Sequence, residues 1–237
     1  MQKRHTQIGL LSLIAVMLLS RCSEGSNDGA HDKGDGGIFG SYESIKIGNQ
    51  TWMQYNLAVT EFRNGDPIPE ARTEKEWIDA GRNEQPAMCY LGSDPNDEKG
   101  IGLVYNWYAV NDIRELAPSG WRIPTNEDWN ELIEYCGGEK SANSKLKNPE
   151  YWSVKKVAKN QKSNSEIGET GFNCVPAPSR LHDGFYGDPD DSGASYFWSS
   201  TEANRESVWS IYVNSANQSI RRDFSKRRGL SVRCIRD

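Results

Sequence analysis

Apolar and polar positions divide the chain into segments of different character. Ile8 to Leu19 is an unbroken apolar run of twelve residues, and the stretch Ser23 to Gly37 has no apolar residue except Ala30. From Ser44 to Trp52, Ile45 and Ile47 alternate with polar residues around Gly48-Asn49, which predicts a β-hairpin. Thr73 to Ala80 predicts a short helix with Trp77 on one face. Gly102 to Val110 (GLVYNWYAV) fits a buried helix and a strand equally well. Trp121 to Pro124 predicts a short strand stopped by proline. A helix follows, capped by Thr125 with Asp128 three residues on, its apolar face made by Trp129, Leu132 and Ile133 and its end marked by Cys136-Gly137-Gly138. Lys140 to Ser165 and Leu181 to Ser195 read as polar loops. Phe197–Ser200, Val208–Val213 and Leu230–Ile235 read as strands, with Trp209, Ile211 and Val213 expected on one core-facing side. Strands at both ends, helices in the first half, long loops in the second and no internal repeat predict an α+β fold of short antiparallel strands, about two helices and long loops.

The N-terminal run is too short to cross a bilayer as a helix, which takes about 20 residues. Preceded by Lys3 and Arg4, it has the form of a secretion signal spanning residues 1–21. Leu19-Ser20-Arg21-Cys22 resembles a bacterial lipobox, in which Cys22 would become the lipid-bearing N-terminus; Arg21 stands where a small residue is usual. Residues 22–40 then form a tether too polar to offset the entropy of ordering, and the globular domain is expected over 41–237. Formal charge is −5 for the whole chain, and losing Lys3, Arg4 and Arg21 takes it to about −8. An acidic domain of this kind argues against nucleic acid as a partner. Hydrophobic content is only 36%, but eight Trp and ten Tyr can supply a core.

IGNQTWMQYNL, GLVYNWYAV, APSGWRIPTNEDWNEL, LKNPEYW, TGFNCVPAPSR, FWSSTE and LSVRCIRD follow one another in order from about Ile45 to Asp237. This succession resembles the Fibrobacter succinogenes major paralogous domain, common in exported proteins of Fibrobacter and Bacteroidota. The GW-x-x-PT stretch with its following Trp, and the SVRC near residue 234, are its most specific parts. The resemblance implies a C-type-lectin-like fold, related to formylglycine-generating enzymes and phage-type receptor-binding proteins, and a cell-envelope location. Glu24 and Asp28 behind Cys22 look like the surface-export signals of Bacteroidota lipoproteins. Cys89, Cys136, Cys174 and Cys234 could pair in three ways or remain buried thiols; the lectin-like likeness implies a bond between Cys136 and Cys234.

Candidate chemistry is sparse. No Cys-x-x-Cys occurs, and His182 is the one histidine in the domain, close in sequence to Ser179 and Asp183. Asp188, Asp190 and Asp191 in GDPDDSG, and Asp94, Asn96, Asp97 and Glu98 in SDPNDEKG, offer hard oxygens suited to calcium, or simply solvated turns. No cofactor is expected, with calcium as the alternative, for which lectin-like folds favour the GDPDDSG loop. Arg221, Arg222, Lys226, Arg227 and Arg228 enclose Asp223 in a locally basic run. The expected function is therefore a non-catalytic, outer-membrane-anchored lipoprotein that binds a glycan or a surface protein. Its ligand face would comprise Tyr186, Asp188, Asp190, Asp191, Arg205 and Arg222, on the loops Leu181–Ser195 and Ala203–Glu206 and the basic run. The rival expectations are an oxidase resembling the formylglycine-generating enzymes, with Cys174 and Cys234 as its reactive pair, and a purely structural envelope component.

Overall fold

The computed structural model describes residues 42–91, 101–152, 167–187, 193–215 and 221–237. The signal segment, Cys22, the tether and the SDPNDEKG loop lie outside the described residues. Residues 42–237 form a compact unit of mixed α+β structure. In chain order the elements are β1 (Ser44–Ile47), β2 (Gln50–Met53), α1 (Glu74–Arg82), β3 (Met88–Tyr90), β4 (Leu103–Tyr105) and α2 (Trp107–Val110). There follow β5 (Trp121–Arg122), α3 (Asn126–Tyr135), α4 (Glu139–Lys145), β6 (Ser179–Arg180) and β7 (Tyr186–Gly187). The order ends with β8 (Ala194–Glu202), β9 (Ser207–Asn214), β10 (Arg221–Ser225) and β11 (Ile235–Arg236).

Local sequence explains most of these elements. Gly48 turns the β1–β2 hairpin at φ +61°, and a Cβ there would meet the Tyr135 ring at 2.9 Å, so the hairpin lies close against the end of α3. Thr73 and Thr125 each close a capping box, with Glu76 and Asp128 respectively. Asp128 also takes both terminal nitrogens of Arg122, at 2.5 and 2.8 Å, which ties α3 to β5. The segment 102–110 is both strand and helix. Asn106 divides them: its side chain accepts from Ala109 N to start α2 and from Ala87 N across the domain, and donates to Gln85 O. Helix α4 was expected to be loop. It has little apolar content, but it buries the small Ala142 and Ser144 together with Asn143, whose Oδ1 accepts from Asn214 N at 3.3 Å.

All named strands pair antiparallel, in a four-stranded sheet ordered β1-β2-β11-β5, a three-stranded sheet β10-β9-β8 and the pairs β3-β4 and β6-β7. One core cluster centres on an aromatic box of Trp52, Trp129, Phe172 and Phe197, with Trp52 and Trp129 4.6 Å apart. A second gathers Tyr105, Trp107, Trp121, Trp198 and Tyr196, and a third holds Trp77, Cys89 and Val104.

Two expectations are corrected. Ile211 and Val213 enter the core, but Trp209 is 37% exposed. It lies on the same strand face, nearer the β8–β9 turn and opposite Asp223 of β10, beyond the reach of the cluster that covers Ile211. The bond between Cys136 and Cys234 is not formed: Cys89, Cys136, Cys174 and Cys234 are all buried free thiols. Alternation along the chain explains the failure. Ile235 packs into the cluster that holds Cys136, whereas Cys234, one residue earlier, belongs to the cluster with Tyr105 and Trp121.

Candidate functional site

An open cleft of about 520 Å³ lies between the start of α1 and the β6–β7 hairpin, lined by Arg72, Thr73, Glu74 and Lys75 on one side and Arg180, Gly184, Phe185 and Tyr186 on the other. The hairpin turn is closed by Leu181 N donating to Phe185 O at 2.8 Å and Gly184 N to Leu181 O at 3.0 Å. Gly184 adopts φ +88° and passes so close to α1 that a Cβ would stand 2.7 Å from the Glu74 Cα. The chain needs glycine there both for conformation and for space.

Arg180 holds the two sides together. It is 1% exposed and donates from Nε to Gly184 O at 3.1 Å, from Nη1 to Ala71 O at 2.5 Å and from Nη2 to Thr73 O at 2.8 Å. Its guanidinium lies 4.8 Å from the Trp77 ring centroid and 5.1 Å from that of Tyr186. Tyr186 is half exposed, and its hydroxyl donates to Tyr90 O at 3.3 Å. Burial and the neighbouring Cys89 thiol raise the Tyr186 phenol above its ordinary 10, and burial likewise raises Cys89. Phe185 is also exposed and lines the cleft with Tyr186, while Tyr90 meets Tyr186 through its backbone carbonyl. The flanking cations have carboxylate partners, and the buried Arg180 is held by backbone carbonyls. Arg72 pairs with Glu70 at 2.8 Å, Lys75 pairs with Asp79, and the Glu76 carboxylate accepts from the backbone nitrogens of Arg72 and Thr73 at 2.8 Å each. Bonds from Thr73 hold Glu76 below the usual carboxylate range.

Of the residues expected to bind ligand, Tyr186 lies in this cleft. Arg205 is exposed in the β8–β9 turn, which Asn204 shapes by accepting from Glu206 N and Ser207 N. Arg222 is exposed on β10, its guanidinium 5.6 Å from the Tyr212 ring, which stacks on the buried Tyr196. Neither arginine lines the cleft. Asp188, Asp190 and Asp191 lie outside the described residues. Ser179 does not engage His182: its hydroxyl donates to Gly187 O and accepts from Arg228. Among the described residues, no group of three or more His, Cys, Asp or Glu side chains could hold a metal ion. Sequence reading missed Arg180, Arg72, Phe185 and Tyr90. The one available signal was Phe185-Tyr186, two adjacent aromatics set between Asp183-Gly184 and Gly187-Asp188.

The other buried titratable groups lie deeper. Cys174 and Cys234 are fully buried in separate core clusters, and burial raises both thiols, Cys174 to about 11. Lys147 is 5% exposed, with its ammonium 4.8 Å from the Trp152 ring centroid. Burial pushes Lys147 down from 10.5 to about 8, with Cys174 acting in the opposite direction. The folded protein therefore releases this proton near pH 8 while the unfolded chain keeps it to about 10.5, so the group's penalty is full below pH 8 and fades as pH rises. The thiols act oppositely: the unfolded chain ionises them first, so their contribution declines as pH passes 9. Comparing wild type with Lys147→Met isolates the lysine. The variant's stability relative to wild type should fall by about 1 kcal/mol between roughly pH 7.5 and 9, measured by urea unfolding at each pH. A constant difference would contradict the shifted lysine.

The architecture and site together define a mixed α+β domain with an open cleft lined in part by Phe185 and Tyr186. The sequence model of the Fibrobacter succinogenes major domain matches residues 45–236, and the chain belongs to that family. No curated protein and no solved structure matches it.

Proposed function

We propose that this protein is an exported cell-envelope lipoprotein, anchored to the outer membrane through Cys22, whose domain binds a glycan or another surface protein without catalysing a reaction. The observation that carries the binding role is the cleft at Arg180, where exposed Tyr186 and Phe185 stand beside fixed polar groups. Aromatic rings with one apolar face and nearby donors and acceptors suit such recognition. Burial of Cys174 and Cys234, each surrounded by core side chains, favours this reading over oxidase chemistry at a reactive thiol pair. The lectin-like kinship expected from the sequence is compatible with small antiparallel sheets joined by long connections. Calcium held by Asp188, Asp190 and Asp191 belongs to the same reading. Chelator should then weaken binding.

The anchor is tested separately. Cys22→Ser should move the protein from the membrane fraction to the soluble fraction, and the wild type should show a lipid-sized increment in intact mass. A soluble wild-type protein without that increment would sink the anchor. Binding is tested by screening glycans and envelope proteins against the purified chain.

A further inference from the structure

Tyr186 has little freedom. Arg180 lies over its ring at 5.1 Å, its hydroxyl is tied to Tyr90 O, and the exposed half of the residue lines the cleft. Arg180 itself is fixed by three backbone carbonyls and Trp77. The ring is therefore a plane set in place before any ligand arrives, which spares the entropy of ordering it on binding. A sugar ring presents a flat array of C–H groups that can lie on such a plane, with hydroxyls around its edge.

The charges narrow the choice of sugar. The Arg72 and Lys75 cations already have carboxylate partners in Glu70 and Asp79. The start of α1 is already served by the Glu76 carboxylate, and in the lining the negative charge of Glu74 stands against the positive charge of Arg180, which is buried with Nε, Nη1 and Nη2 each bonded to a backbone carbonyl. An anionic ligand would have to compete with these carboxylates and would gain little net attraction. A hydroxyl both donates and accepts, so it can bond a guanidinium and a carboxylate of the same pair without breaking it. We propose, resting on the binding function argued above, that the cleft takes an uncharged saccharide, with one pyranose ring stacked on Tyr186 and its hydroxyls on the Arg72–Glu70 pair. Arg180 is then a positioning residue that holds the stacking plane.

The test is calorimetric titration of the full-length protein in a detergent without a sugar headgroup. The probes are neutral oligosaccharides of glucose, mannose and xylose, with oligogalacturonate as the acidic probe. At least one neutral probe should bind, and raising NaCl about tenfold should change its Kd by less than about twofold, because no net charge is neutralised. Tyr186→Ala should weaken binding by roughly tenfold or more with an unchanged melting temperature, whereas Tyr186→Phe, which keeps the ring, should retain most of it. Failure of every neutral probe, or unchanged binding by Tyr186→Ala, overturns the proposal. Tighter, salt-sensitive binding of oligogalacturonate overturns the uncharged class while leaving the binding function standing. If neither saccharide class nor any envelope protein binds, the binding function falls with it.

Discussion

Arg233→Ala should lower the unfolding free energy by about 3–5 kcal/mol, enough to unfold a marginal domain. Arg233 is 0% exposed. Its Nε and Nη2 donate to Asn56 Oδ1 at 3.0 and 2.6 Å, and its Nη1 to Gln54 O at 2.9 Å, Phe172 O at 2.5 Å and Met53 O at 3.3 Å. The guanidinium also lies 4.4 Å from the Phe172 ring centroid and 5.6 Å from that of Phe197. Burial lowers its pKa to about 10, still high enough to keep the charge at neutral pH. Alanine would leave these acceptors without their donor inside the core and open a cavity beside the aromatic box. Arg233→Met fills the space but not the bonds, so it should cost less than alanine and more than nothing. Chemical denaturation of the three proteins decides it; a loss under about 1 kcal/mol for alanine would mean that the acceptors find other partners.

Gly184→Ala should cost on the order of 2–4 kcal/mol and also distort the cleft. The added Cβ would stand 2.7 Å from the Glu74 Cα and 3.0 Å from its carbonyl oxygen. Both are backbone atoms at the capped start of α1 and cannot rotate away. The carbonyl of Gly184 is also the acceptor for Arg180 Nε, so a displaced loop loosens the arginine that sets Tyr186. Gly65→Ala is the control. Gly65 has nearly the same φ, +87°, but a Cβ there meets nothing within 4 Å. It should cost only the conformational part, about 1 kcal/mol. Equal melting temperatures for the two variants would show that the hairpin yields and α1 does not constrain it.

Much of the fold was legible where the determinants are local. Pro124, Thr125 and the Trp129-Leu132-Ile133 face specify β5 and α3 within a dozen or so residues, and the capping box forms with Asp128 in place of the commoner Glu. Residues 102–110 stayed ambiguous because the strand-to-helix break depends on Asn106, which bonds to residues 85 and 87. Trp209 was placed in the right phase along β9, but how far the covering layer extends is a tertiary fact. The cysteine pairing failed on the same kind of fact, since only the packed structure shows which cluster Cys234 joins. Of the cleft, Tyr186 was visible as an aromatic among polar neighbours. Arg180 was not, because its partners at Ala71 and Thr73 are more than a hundred residues away.

The sheet order β1-β2-β11-β5 bears on the timing of assembly. Ile235 pairs with Trp52 on one side and Arg122 on the other, and Met53 N and Leu57 N donate to Cys234 O and Val232 O. The N-terminal hairpin and the Trp121 strand therefore have no common seam until residues 230–236 arrive between them. A chain that emerges N-terminus first from a ribosome makes these residues available only after the strands they join. Closing contacts across so long a loop is entropically slow in any case. Emergence of the other strands thus precedes locking, and a cut that removes those residues would take out the middle of the sheet rather than trim its edge.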